Sequence, residues 1–134
     1  MSLLALLLLT ADPIDGFMRE VSSELNDYNL SDDKDEQRLV FGRSEAEFRN
    51  AKIYIAERHG KRWSLPRPIS FSDPRYSDSD PWLTPDGKTL FFISDRPAPG
   101  RAEERKDYDI WRSQLIKGKW STPVRLDSNV NSSG

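Results

Sequence analysis

The chain of 134 residues contains no cysteine, which removes disulfides, thiolate metal sites and cysteine nucleophiles together. It has a single histidine, His59, set in the charged turn His59-Gly60-Lys61-Arg62, a place for a solvated side chain rather than a ligand or a general base. It lacks an excess of either charge: 20 Lys and Arg stand against 22 Asp and Glu, so no basic footprint for nucleic acid is present. Long apolar runs are missing too. The one strongly apolar stretch, Leu3 to Leu9, falls far short of the ~20 residues a membrane-spanning helix needs, and no membrane span is expected. There is no Gly-Lys-Ser/Thr phosphate loop, no Gly-x-Ser-x-Gly elbow and no His-Glu-x-x-His helix.

The apolar start fits a secretory signal, with Thr10-Ala11 as a small-residue exit before Asp12-Pro13. No Lys or Arg precedes the run, a gap that closes if Met1 lies inside the signal. The alternative is an apolar segment that packs on the first structural unit. Periplasmic or secreted localisation is the expectation.

What the chain does have is a repeat. Ile53, Tyr54, Trp63, Ser64, Pro66 and Ile69 are answered by Ile110, Trp111, Trp120, Ser121, Pro123 and Leu126, each 57 positions later. Leu39, Val40 and Phe41 are answered by Leu90, Phe91 and Phe92 at a spacing of 51, so the copies differ in an internal loop. Self-similarity of this length marks a unit that buries its apolar faces only when copies stack.

The second copy is the cleaner. Thr84-Pro85-Asp86-Gly87 combines a proline that presets φ with a glycine that accepts a left-handed conformation, and predicts a hairpin turn. The run Lys88 to Ser94 is β-branched and aromatic, of strand length, and its unbroken apolar residues predict a strand buried on both faces. Asp95 to Lys106 reads as an exposed loop, Tyr108 to Leu115 as a strand, and Trp120 to Leu126 as a short edge segment interrupted by Pro123. In the first copy Leu39 to Gly42 and Lys52 to Glu57 are the central strands. The turn Asp32 to Arg38, without glycine, is expected to be about two residues longer and looser. Ser70 to Asp80 links the copies, and Phe17 to Leu25 is the one segment that could form two helical turns. Short strands with Gly and Pro turns in a long repeat predict an all-β protein built of radial blades.

The run Asp80-Pro81-Trp82-Leu83-Thr84-Pro85-Asp86-Gly87-Lys88-Thr89-Leu90-Phe91-Phe92, followed by Asp107-Tyr108-Asp109-Ile110-Trp111, resembles the WD-like β-propeller repeat of TolB-type proteins. The ending Gly118 to Pro123, with Asn129-Val130-Asn131 after it, is similar to a subset found in bacterial envelope proteins. The resemblance implies a partial β-propeller, about two four-stranded antiparallel blades of an incomplete ring of about six. It assigns residues 1–11 to the apolar start, 12–76 to a divergent first blade and 77–134 to a second, with the start of a third. The function it implies is a non-catalytic scaffold that binds a protein partner at a propeller face in the bacterial envelope. The alternative is the propeller portion of a larger hydrolase, a peptidase or a carbohydrate-active enzyme, with its catalytic residues outside this chain.

Among the residues themselves, the carboxylates Asp78, Asp80, Asp86, Asp95, Asp107 and Asp109 cluster in the second copy. A pair could act as glycosidase acid and base. Turn geometry accounts for Asp86, repeat geometry for Asp109, and solvated loops for the others. Asp78-x-Asp80 and Asp107-x-Asp109 do not continue as a calcium loop. No catalytic residue, cofactor or metal is therefore expected. Trp63 and Trp120 occupy equivalent positions and should pack in the core, because structural roles recur in each copy. Trp82, set against Asn29 in the first copy, is the candidate binding residue. Exposed blade faces are expected to favour self-association.

Overall fold

The structure, a computed structural model, describes residues 25–98 and 107–131. The apolar start and residues 17–24 of the expected helical segment lie outside these residues, as does the loop from 99 to 106. What is described is all-β, with one short 3-10 turn at Ala46–Phe48.

Two antiparallel blades follow one another. The first has β1 (Asn26–Asp32), β2 (Arg38–Ser44) and β3 (Lys52–His59), with an outer edge made of two short pieces, β4 (Arg62–Trp63) and β5 (Arg67–Pro68), that both pair with β3. The second repeats this as β6 (Asp78–Leu83), β7 (Thr89–Ser94), β8 (Asp109–Ile116), β9 (Lys119–Trp120) and β10 (Val124–Arg125). Counting the interrupted outer edge as one strand, each blade is four-stranded, and the two form part of a β-propeller. Pro66 and Pro123 fall in those interruptions, where a missing N–H costs no ladder bond.

The sequence repeat is a repeat of strand register. Leu39 faces Ala56 and Phe41 faces Tyr54 in the first blade; Leu90 faces Ser113 and Phe92 faces Trp111 in the second. Arg58 opposite Trp63 matches Leu115 opposite Trp120, and Ile55 opposite Arg67 matches Arg112 opposite Val124. Even the bulge in the innermost strand recurs, between Tyr28 and Ser31 and again between Ser79 and Trp82.

The core is the layer between the blades. Val40, Ile53 and Ile55 from the first meet Leu83, Leu90, Phe92 and Trp111 from the second, with Trp120 packed against them. Phe71 of the linker stacks on Phe92 at 5.1 Å. A second cluster, Leu39, Phe41 and Ala56 with Trp63 against it, lies on the other face of the first blade. Trp63 and Trp120 thus hold equivalent packing positions. Polar ties cross between the blades at the inner strands: Leu83 N donates to Ser31 Oγ at 2.9 Å, Lys34 N to the Pro85 carbonyl at 2.8 Å, and Asn29 Nδ2 to Asp80 Oδ1.

Three sequence expectations are corrected. First, β7 alternates: Leu90, Phe92 and Ser94 are buried, whereas Phe91 and Ile93 are only half-buried because nothing described covers the outer face of the second blade. The expectation of burial on both faces fits β2 instead, where Leu39, Val40, Phe41 and Gly42 are all buried. Second, Asp78 to Asp80 enter β6 and leave the linker. Third, the first turn is neither longer nor looser, since residues 33–37 and 84–88 connect their strands at equal length.

That turn closes without glycine. Glu36 takes the left-handed conformation at φ 51°, as Gly87 does at φ 70°, and each N–H bonds back to the first residue of its turn. Asp33 supplies what Thr84 supplies in the second blade, a side-chain oxygen that accepts from backbone N–H groups, here Gln37 N at 2.7 Å and Arg38 N at 3.2 Å. A left-handed non-glycine residue costs about 1–2 kcal/mol. Glu36→Gly is therefore expected to raise the unfolding free energy by about 0.5–1 kcal/mol. Gly87→Ala should lower it by about 1–2 kcal/mol, since its Cβ would also stand 2.9 Å from Asp33 Oδ2. Urea denaturation at neutral pH reads both, and equal effects of the same sign would refute the equivalence of the two turns.

Candidate functional site

The carboxylates marked in the sequence do not gather at one point. Asp78 is buried and forms a bidentate pair with Arg96, whose guanidinium also donates to the Phe71 carbonyl and lies over the Phe71 and Tyr76 rings. Asp95 Oδ1 accepts from Ser77 N at 2.7 Å, and Asp109 pairs with Arg125 at 2.7 Å. Asp86 sits in its turn, accepting from Thr84 Oγ1 and Lys88 N. Repeat geometry does not explain Asp109, whose positional equivalent is Lys52; that lysine reaches the carbonyls of Asp73 and Tyr76. Among the described residues no cluster of three or more His, Asp or Glu could hold a metal. His59 is exposed at the end of β3.

Trp82 lies on β6, 53% exposed, with its ring tilted against Phe91 at 5.8 Å. Its counterpart is Ser31 rather than Asn29: Trp82 opposes Phe91 as Ser31 opposes Val40. The bulge residue Asn29 corresponds to Asp80, and both have left-handed backbones, at φ 51° and φ 50°. Trp82 therefore belongs to the outer face of a blade.

A different set of residues forms a concave surface. At the end of the blades where β1 bulges, β2 turns into β3 and β6 begins, an open groove of about 490 Å³ is lined chiefly by Tyr28, Asn29, Phe48, Asp80, Ile93 and Tyr108. Tyr28 is held by close approach: its ring occupies the space where a Cβ on Gly42 would stand, 2.6 Å away. Phe48 meets the Tyr28 ring edge-on at 5.2 Å, and Phe48 and Tyr108 are 66% and 58% exposed. Burial above all, with the nearby Asp80 carboxylate adding to it, pushes the Tyr28 hydroxyl above its ordinary pKa.

The backbone around this groove is strained. Asn29, Phe48 and Asp80 line it with positive φ, and Glu47 and Asn50 beside Phe48 share that conformation. Such strain costs of order 1–3 kcal/mol per residue and concentrates where a fold aims side chains for a purpose. Among the described residues, the lining contains a carboxylate and exposed aromatic rings but no Lys or Arg. A cationic or aromatic group of a ligand suits that lining. Of these residues, only Asp80 stood out in the sequence. Phe48 gave no periodic signal, because it sits in the 3-10 turn after β2, and Tyr108, read from the sequence as the start of a strand, lies just before β8.

No family model matches the chain, and no curated protein does. The resemblance to TolB-type repeats therefore rests on the motif residues quoted above.

Two carboxylates, half-buried Asp73 and exposed Asp86, have depressed pKa values. Asp73 is brought down to about 2, chiefly by the hydrogen bond from the Arg75 side chain, and Asp86 is lowered chiefly by the Thr84 hydroxyl, then by Lys88 N–H. A group whose folded pKa lies below its unfolded value contributes stability above the unfolded value and loses it as pH falls through the folded one. Stability should thus decline between pH 3.8 and about 2, and the Asp73 carboxyl carbon should titrate in NMR at about 2. A midpoint near the ordinary 3.8 would refute the Arg75 contact.

Proposed function

We propose that this chain is the blade-bearing part of a non-catalytic β-propeller scaffold of TolB type, which binds a protein partner in the bacterial cell envelope, in the periplasm or outside the cell. The observation that carries the reading is the groove at one end of the blades, where Phe48 and Tyr108 stand exposed beside Asp80. An exposed aromatic pair with one carboxylate fits a peptide segment that presents a Lys or Arg next to an apolar side chain. The apolar stretch Leu3 to Leu9 with its small-residue exit supports export.

The test places a photo-crosslinking phenylalanine derivative at Tyr108 and, as a control, at Leu65, which is 82% exposed elsewhere on the first blade. In a bacterial envelope extract, position 108 should yield one discrete protein adduct and position 65 none. Phe48→Ala should reduce the yield about tenfold, the effect of losing one anchoring contact of about 1–2 kcal/mol. Adducts of equal pattern from both positions, or a yield indifferent to Phe48→Ala, would overturn the reading.

A further inference from the structure

We infer that a cleft between the two blades is a binding site for a phosphate group. It lies at the opposite end of the strands from the groove: Arg38 opens β2, which Phe48 follows, and Leu115 stands near the end of β8, which Tyr108 precedes. The cleft has a volume of about 140 Å³, and its charged lining is Arg38, Glu57 and Arg67 from the first blade and Lys119 from the second. Three cations thus share one carboxylate. None of these residues lines the groove, so the site stands whether or not the groove takes a peptide.

Glu57 stands directly opposite Arg38 across β2 and β3, yet its carboxylate pairs with Arg67. Arg38 is half-buried, and neither it nor Lys119 has an ion pair among the described residues. A guanidinium drawn partly out of water without a counter-ion is unfavourable, and an anion in the cleft relieves that penalty. The fold itself does not require the arrangement. Strand register puts Thr89 and Gln114 where the first blade has Arg38 and Glu57, and Val124 where it has Arg67. Of the three cations only Lys119 has a basic counterpart, Arg62 in the first blade. Positions that hold a repeat together recur from copy to copy, and this set does not.

The lining selects its ligand by charge, shape and size. Three cations less one carboxylate leave an excess of two positive charges, which a dianion neutralises and a chloride or a single carboxylate does not. Arginine presents a planar fork of N–H donors that matches the oxygens of a phosphate, and Lys119 adds a point charge from the other blade. A cleft of about 140 Å³ holds a few waters, or one tetrahedral group of five heavy atoms in their place. Ile55 and Trp120, both packed in the layer between the blades, supply an apolar wall, beside which these attractions are stronger than in open water. A phosphate held here ties the first blade to the second.

The test is an NMR titration of the full chain with inorganic phosphate at mildly alkaline pH, with ionic strength held constant by sodium chloride. Saturable shifts are expected at the Trp120 indole N–H and the Lys119 amide, and none at the Tyr108 amide at the other end of the blades. Arg38→Thr, which installs the second blade's residue, should weaken binding about tenfold or more through loss of a charge-assisted contact. Glu57→Gln, again the second blade's residue, should strengthen it about threefold, because Arg67 is released to the anion. Arg49→Gln removes one positive charge in the turn after β2, away from the cleft, and should leave the affinity unchanged. Phenyl phosphate bound as tightly as the free ion identifies a phosphomonoester as the ligand, and its exclusion identifies inorganic phosphate; either result supports the site. Shifts that sodium chloride alone reproduces, or an affinity indifferent to both Arg38→Thr and Glu57→Gln, would overturn the inference.

Discussion

The structure depends on one apolar layer, formed where Val40, Ile53 and Ile55 meet Leu83, Leu90 and Phe92. A single twisted sheet cannot bury both of its faces, so a blade gains little by folding alone. Truncating a fully buried aromatic such as Phe92 costs about 3–5 kcal/mol. That is a large part of the ~5–15 kcal/mol by which a domain is stable. The layer also explains the identical strand registers: a slip of one residue in either blade would turn its apolar set away from the other.

Around this layer, polar groups fix what packing leaves free. Arg96 and Asp78 draw the linker onto the second blade through the Phe71 carbonyl, and Lys52 holds the same linker from the first blade. Asn131 extends the outer edge by a two-way bond to the backbone of Ile110, donating to its carbonyl and accepting from its N–H. The inner strands carry the bulges, and the left-handed residues Asn29 and Asp80 meet there across the blades. Rigid packing and cross-blade bonds therefore support the strain beside the groove, which is how a fold can hold exposed Phe48 and Tyr108 in place.

Much of this was legible in the sequence because repeated residues reveal register. The spacings of 57 and 51 predicted the blades, and the Trp63 and Trp120 equivalence predicted core packing. What escaped notice was polar or local. Strand β1 (NDYNLSD) has only one aliphatic residue, and its strand character comes from pairing with β2. Glu36 was unexpected in a glycine position because Asp33 caps the turn by hydrogen bonds that composition does not reveal. The equivalence of Trp82 with Ser31 rather than Asn29 is not legible in the sequence, because the bulge in the innermost strand shifts the register. The groove was invisible, since its residues meet only after the blades have packed.

The most direct test of the account is native-state hydrogen exchange with and without Phe92→Ala. If the layer holds both blades, the amides of Ile55 in β3 and Phe92 in β7 should open with the same free energy in the unaltered chain. Both should then fall together by about 3 kcal/mol in the variant. A drop confined to β6, β7 and β8, with Ile55 and its neighbours in β3 keeping their protection, would contradict it.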